Sequence, residues 1–249
     1  MRRLAFLLAL SPVAATAQLP VEKADVVREY PHDRDAFTEG LFYDNGVLWE
    51  STGYVGKSSI RKVALTTGKV LARVTVPPPY FGEGIAPWAG QIVSLTWQQG
   101  QGFRWSKAGL RKIGEVRYTG EGWGMTNDGK DLVMSDGTPV IRFLDPATFT
   151  VRRTITVTAQ GKPVKNVNEL EWVDGEILAN IWMTDAIVRI DPHTGVVKGV
   201  LDVSALHAKV GTANPDAVAN GIAWDAARRR LFVTGKNWPT LFELRWPKH

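Results

Sequence analysis

The pattern of apolar and polar positions is that of short strands. Runs of alternating or β-branched residues are separated by Gly, Asn-Gly and Asp-Gly, and no apolar stripe of helical period continues past about ten residues. This predicts an all-β chain. The strands recur as a unit: a Gly-centred start, a first strand, a tight turn, a second strand, a third strand and a fourth. The unit starts are Glu39-Gly40-Leu41, Glu83-Gly84-Ile85, Trp123-Gly124-Met125, Glu169-Leu170-Glu171 and Asn220-Gly221-Ile222, spaced 44, 40, 46 and 51 residues apart. First hairpins are expected at Asp44-Asn45-Gly46, Trp88-Ala89-Gly90, Asn127-Asp128-Gly129, Val173-Asp174-Gly175 and Asp225-Ala226-Ala227. Asn-Gly and Asp-Gly suit the positive-φ turns of short hairpins.

A period of this length carrying four strands predicts a β-propeller, here with five blades of four antiparallel strands. After Gly221 only 28 residues remain, enough for three strands: Gly221 to Trp224, Leu231 to Thr234 and Leu241 to Leu244. Glu22 to Tyr30 resembles the other fourth strands, Lys69 to Val76 and Val196 to Val203, and is expected to complete the last blade and close the ring. Closure removes sheet edges that would otherwise invite aggregation.

Residues 1–17 read as a secretory leader: Met-Arg-Arg, an apolar run from Leu4 to Leu10, then Ala15-Thr16-Ala17 before the cleavage point. The run is far shorter than the roughly 20 residues of a membrane span. The mature chain is therefore expected to be one propeller domain, residues 18–249, soluble, periplasmic or secreted, and monomeric. Loss of Arg2 and Arg3 lowers the formal charge from +5 to +3, and the basic residues are scattered, which argues against nucleic acid as a partner. Arg228-Arg229-Arg230 reads as a solvated hairpin turn. With no cysteine, an exported chain must be held by its core alone.

In a propeller the segments leading into the first strands share a face with the ends of the second strands. The first group supplies Phe37, Glu39, Phe81, Glu83, Trp123, Asn168, Glu169 and Asn220; the second supplies Thr52, Trp97, Asp136, Trp182, Lys236 and Trp238. Aromatic rings around a few carboxylates and amides have the composition of a small-molecule pocket. Burial among rings raises a carboxyl pKa and makes it a candidate for acid–base work. Glu39 and Glu83, equivalent in adjacent blades, are expected to face each other and share a proton; the alternative is an ion pair with Lys236. Trp49, Trp172 and Trp224, inside strands, are expected in the core. His32, His193, His207 and His249 show no metal-ligand spacing, and no GxSxG elbow or phosphate loop occurs.

Several stretches resemble the plant and bacterial type of glutaminyl-peptide cyclotransferase, a five-bladed propeller family. They are Phe37-Thr38-Glu39-Gly40-Leu41, Phe81-Gly82-Glu83-Gly84-Ile85, Leu95-Thr96-Trp97, Glu121-Gly122-Trp123-Gly124, Asn168-Glu169-Leu170-Glu171, Ala179-Asn180-Ile181-Trp182 with Thr184-Asp185, and Gly235-Lys236. The resemblance implies peptides with N-terminal glutamine as substrates, Glu83 as the catalytic carboxylate, Trp97, Trp123 and Trp182 as pocket walls, and Asn168 and Lys236 as substrate-binding groups. Glu at position 39 matches the bacterial branch, where the plant enzymes have Gln. No cofactor is implied, and the fold leaves room for a structural Ca²⁺. Two other readings stand beside it: a Ca²⁺-dependent propeller hydrolase such as a lactonase, with Glu39, Glu83, Asn168 and Asn220 as oxygen ligands, and a non-catalytic exported binding propeller.

Overall fold

The structure, a computed structural model, describes residues 18–246. The leader read at residues 1–17 lies outside them. Five four-stranded antiparallel units follow one another around an axis. Blade 1 contains Thr38–Asp44, Val47–Thr52, Ser59–Ala64 and Val70–Thr75. Blade 2 contains Gly82–Trp88, Gln91–Thr96, Gln101–Ser106 and Lys112–Arg117. Blade 3 is built from Met125–Asn127, Leu132–Met134, Val140–Leu144 and Val151–Thr156, and blade 4 from Val167–Val173, Glu176–Ile181, Ala186–Ile190 and Val197–Asp202. Blade 5 has Ala219–Asp225, Arg230–Gly235 and Thr240–Leu244, and its fourth strand is Val26–Pro31 from the N-terminal side.

The ring therefore closes as the strand count predicts, with one difference. Glu22 to Tyr30 is two strands instead of one. Val21–Lys23 lies parallel to the outer strand of blade 4, and only Val26–Pro31 joins blade 5. The chain thus bridges two adjacent blades, and the Ala24 amide donates to the Asp202 carbonyl at 3.0 Å to make the step between them.

Burial follows distance from the axis. Every residue of the inner strand Ala219–Asp225 is buried, whereas the outer strand Val70–Thr75 is mostly exposed. The core consists of layers between blades. Between blades 1 and 2, Phe42, Trp49 and Ile60 pack with Ile85, Ile92, Phe103 and Trp105; equivalent layers fill the other four junctions. The hairpin turns form at the expected Gly positions, with Asn45 and Gly46 at φ 48° and 89° and Asp174 and Gly175 at φ 50° and 84°. Arg230 of the basic run is paired with Asp225 across its own turn at 2.7 Å.

Two features lie outside the repeat. A small hairpin, Thr158–Ala159 with Lys162–Pro163, sits between blades 3 and 4. A seven-residue helix, Ser204–Val210, ended by Gly211 at φ 62°, lies in the connection into blade 5. Its Leu206 packs into the layer between blades 4 and 5. No helix among the described residues is long and apolar enough to cross a membrane.

Candidate active site

The same irregularity positions the polar side chains in four blades. Between first and second strands, pairing runs Thr38↔Thr52 then Leu41↔Glu50, Gly82↔Thr96 then Ile85↔Ser94, Val167↔Ile181 then Leu170↔Ala179, and Ala219↔Gly235 then Ile222↔Val233. Each interval carries an extra residue on the inner strand, a β-bulge that re-aims a side chain. The first bulge residue is Glu39, Glu83, Asn168 or Asn220. The second is glycine in blades 1, 2 and 5, where inner strands approach closely: a Cβ on Gly84 would lie 2.5 Å from the Trp123 carbonyl oxygen and 2.6 Å from the Met125 nitrogen.

The bulge register corrects the assignment in blade 4. The equivalent of Glu39 and Glu83 is Asn168, and Glu169 stands in the glycine's place. A one-residue offset turns a side chain to the other face. Glu169 is fully buried and does not line the cavity; its carboxyl oxygens accept from the Leu41 amide at 3.2 Å and the Ile222 amide at 2.9 Å, linking the inner strands of blades 4, 1 and 5.

Just beyond the bulges, backbone bonds bring the two groups of segments together. The Gly53 amide donates to the Phe37 carbonyl (2.8 Å), Trp97 to Phe81 (3.1 Å), Trp182 to Asn166 (2.9 Å) and Lys236 to Val218 (2.9 Å). The result is a cavity of about 290 Å³ lined by Phe37, Glu39, Tyr54, Phe81, Glu83, Trp97, Trp123, Asn168, Trp182, Asp216 and Lys236. Of the fourteen residues that the sequence placed on this face, nine line the cavity, and Thr52, Asp136, Glu169, Asn220 and Trp238 do not.

Glu39 is ion-paired with Lys236, and no hydrogen bond joins it to Glu83 among the described residues. Lys236 Nζ lies 2.8 Å from Glu39 Oε1 and 2.7 Å from Oε2, and 4.6 Å from the Phe37 ring centre. Asn220 Nδ2 donates to the Thr38 carbonyl at 2.8 Å and reaches Glu39 Oε2 at 3.5 Å. Glu39 is thus held as the partner of an ammonium, although burial acts against its ionisation and raises its pKa. The Glu83 carboxyl has no hydrogen-bond partner among the described residues. Burial, then the negative charge of Glu39, hold it well above the usual carboxylate range, with Lys236 acting in the opposite sense. Asn168 Nδ2 donates to Asn220 Oδ1 at 3.1 Å, and its own buried Oδ1 is unpartnered. For Ca²⁺ ligation by Glu39, Glu83, Asn168 and Asn220, the Lys236 ammonium already occupies both oxygens of Glu39, so this donor set does not fit the cation.

Three aromatic expectations resolve differently. Trp97 and Trp182 are 39% and 38% exposed at the mouth, with Trp123 half-buried between them. Trp238, expected at the mouth, is fully buried: its Nε1 donates to the Ala217 carbonyl at 2.8 Å and its ring lies 5.6 Å from that of His207. The helix that sequence periodicity did not reveal covers it. Trp49 and Trp224 are core, as is most of Trp172. His32 is also a core residue, its Nε2 2.9 Å from Glu50.

Sequence reasoning missed Tyr54 and Asp216. Tyr54 lies two residues past Thr52, its ring 4.4 Å from that of Phe37 and tilted by 36°, so a wider window after the second strand would have found it. Asp216 lies in the irregular connection after the helix, where no repeat landmark exists.

Comparison with known proteins agrees with this geometry. A family model described as glutamine cyclotransferase matches residues 3–246. A glutaminyl-peptide cyclotransferase of Arabidopsis thaliana is 42% identical over 230 residues, covering 90% of this chain and 72% of the relative. The crystal structure of Myxococcus xanthus glutaminyl cyclase superposes with a TM-score of 0.87 at 39% identity, covering 92% of this chain and 98% of that one. The WD40 propeller domain of Doa1, at 12% identity and a TM-score of 0.52 over 85% of this chain and 79% of its own, shares the fold alone.

Proposed function

This chain belongs to the glutamine cyclotransferase family, and we propose that it closes N-terminal glutamine of peptides into pyroglutamate with Glu83 as the proton carrier. The observation that carries the mechanism is Glu83 itself: a buried carboxyl without a partner, in an aromatic cavity, beside an ammonium already committed to a second carboxylate.

The α-amine of the substrate attacks its own side-chain amide carbon, forming the C–N bond of a five-membered lactam. Ammonia leaves. Because nucleophile and electrophile share one molecule, the protein's task is to fold the side chain into a near-attack shape and to move protons. Glu83 as carboxylate takes the proton that the amine loses on attack and returns it to the departing nitrogen, a base-then-acid relay worth about 10² to 10⁴ in rate. Two protons of Lys236 go to Glu39, and the third is available to the oxygen that becomes negative in the tetrahedral intermediate. Asn168, its amide held by Asn220, bounds the cavity and so restricts the orientation of the substrate. The rings of Phe37, Phe81, Trp97, Trp123 and Trp182 cover the aliphatic part of glutamine and keep out water that would hydrolyse the amide.

In this reading the reaction needs no metal or other cofactor, and the leader at residues 1–17 sends a monomer out of the cytoplasm to act on exported peptides. Ammonia release from a glutaminyl dipeptide tests it. Wild-type activity that survives a chelator and is lost in Glu83→Gln supports the relay. Loss of activity on chelation would favour a metal-dependent hydrolase instead, and full activity of Glu83→Gln would remove Glu83 from the mechanism.

A further inference from the structure

The cavity's rings form two arcs. On one side Phe37 meets Phe81 edge-on at 6.4 Å and Phe81 meets Trp97 at 6.0 Å; on the other Trp123 meets Trp182 edge-on at 5.7 Å. The arcs belong to different segments: Trp97 follows the second strand of blade 2, and Trp123 precedes the first strand of blade 3. A single oxygen joins them. Glu121 Oε2 accepts from Trp97 Nε1 and from Trp123 Nε1, each at 2.8 Å.

The segment bearing Glu121 is itself fixed. Arg142 donates to the Thr119 carbonyl at 2.7 Å, to the Glu121 carbonyl at 3.1 Å and to Asp136 Oδ2 at 3.0 Å, while the Gly122 amide donates to the Trp97 carbonyl at 2.9 Å. An indole as exposed as Trp97 would otherwise sample several rotamers, and binding would have to immobilise it. Here both indoles are charge-assisted donors to one anchored carboxylate, a stronger bond than a neutral pair makes.

We propose that Glu121 is a positioning residue that locks Trp97 and Trp123 into a rigid pair of pocket walls before the substrate arrives. This rests on the pyroglutamate-forming reading of the site.

The test uses KM and kcat of three variants with a glutaminyl dipeptide. Glu121→Ala deletes acceptor and charge; KM is expected to rise about tenfold, with kcat at its optimal pH changed by less than about threefold. Glu121→Gln keeps an acceptor oxygen for the two indoles: KM stays within about twofold of wild type. Trp97→Phe/Trp123→Phe keeps the rings and deletes the donors; KM rises comparably, and adding Glu121→Ala raises it by less than about twofold more. Should Glu121→Ala not fold, the other two variants decide the matter. An unchanged KM in the double Phe variant, an undiminished effect of Glu121→Ala in that background, or a KM in Glu121→Gln as high as in Glu121→Ala overturns the inference. If the wild type releases no ammonia, it is the assigned activity that fails. The positioning claim then stands or falls on acrylamide quenching of tryptophan fluorescence, which must be greater in Glu121→Ala than in wild type.

Discussion

Replacing Lys236 by Met separates the electrostatics of this site from its packing. The side chains of Lys236 and Glu39 are 8% and 2% exposed, and both Glu39 oxygens are within 2.8 Å of Nζ. Met fills much of the same volume and keeps contact with Phe37, so the change removes chiefly the charge. What remains is a buried carboxylate whose nearest described donor is Asn220 Nδ2 at 3.5 Å. Breaking a buried pair from one side costs roughly 3–5 kcal/mol. The protein relieves the cost by protonating Glu39, so the loss depends on pH. With the folded-state pKa raised above the unfolded 4.5, folded and unfolded chains are equally protonated well below that value and the penalty vanishes; as pH rises, the unfolded chain ionises first and stability falls until folded Glu39 ionises too. Urea denaturation followed by tryptophan fluorescence is therefore expected to show a loss of about 3–5 kcal/mol near pH 8 and a clearly smaller one near pH 5. Adding Glu39→Gln to Lys236→Met should recover most of that stability, because the uncompensated charge is gone, without recovering turnover, because the ammonium is gone as well. A loss below about 1 kcal/mol near pH 8, an equal loss at both pH values, or no recovery in the double variant would refute the argument.

Further outcomes follow from the same geometry. Glu83→Gln should keep the urea midpoint of the wild type and lower kcat by about 10² to 10⁴, measured by ammonia release at saturating peptide. Trp182→Ala should raise KM more than it lowers kcat, since the ring is an exposed wall and not a proton carrier; equal losses in kcat and kcat/KM would place it in the transition state instead. Gly124→Ala should destabilise the ring or prevent folding, because its Cβ would sit 2.0 Å from the Asn168 carbonyl oxygen, and a thermal midpoint equal to wild type would contradict the close inner-strand approach. Glu171 is buried and held at about 8, so its stabilising contribution is complete below 4.5 and is lost as pH rises through about 8; the urea midpoint should fall between mildly acidic and alkaline pH, and Glu171→Gln should flatten that fall.

The ring was legible in the chain because a propeller repeats its local chemistry. Each blade needs a tight first hairpin, so Asn45-Gly46 and Asp174-Gly175 mark the period, and the shortage of strands after Gly221 calls for one from the N-terminal side. Equivalence between blades also placed Glu39, Glu83, Trp97, Trp182 and Lys236 on one face, since a repeat puts equivalent positions at equivalent distances from the axis. It left their partners undetermined. Lys236 and Glu39 are separated by nearly the whole chain and meet only because blade 5 closes against blade 1. The pairing of Glu39 with Lys236 was decided there, where an ammonium buried among rings needs a carboxylate partner. Glu169 shows the same limit at shorter range: a bulge shifts the register by one residue and turns its carboxyl onto the Leu41 and Ile222 amides, which the residue types alone could not indicate. Trp238, Asp216 and the joining role of Glu121 depend on irregular connections that carry no period. The sequence by itself determined which residues recur and therefore which face they share; the tertiary structure decided which of them touch, because those contacts are made between blades, across segments that no local pattern relates.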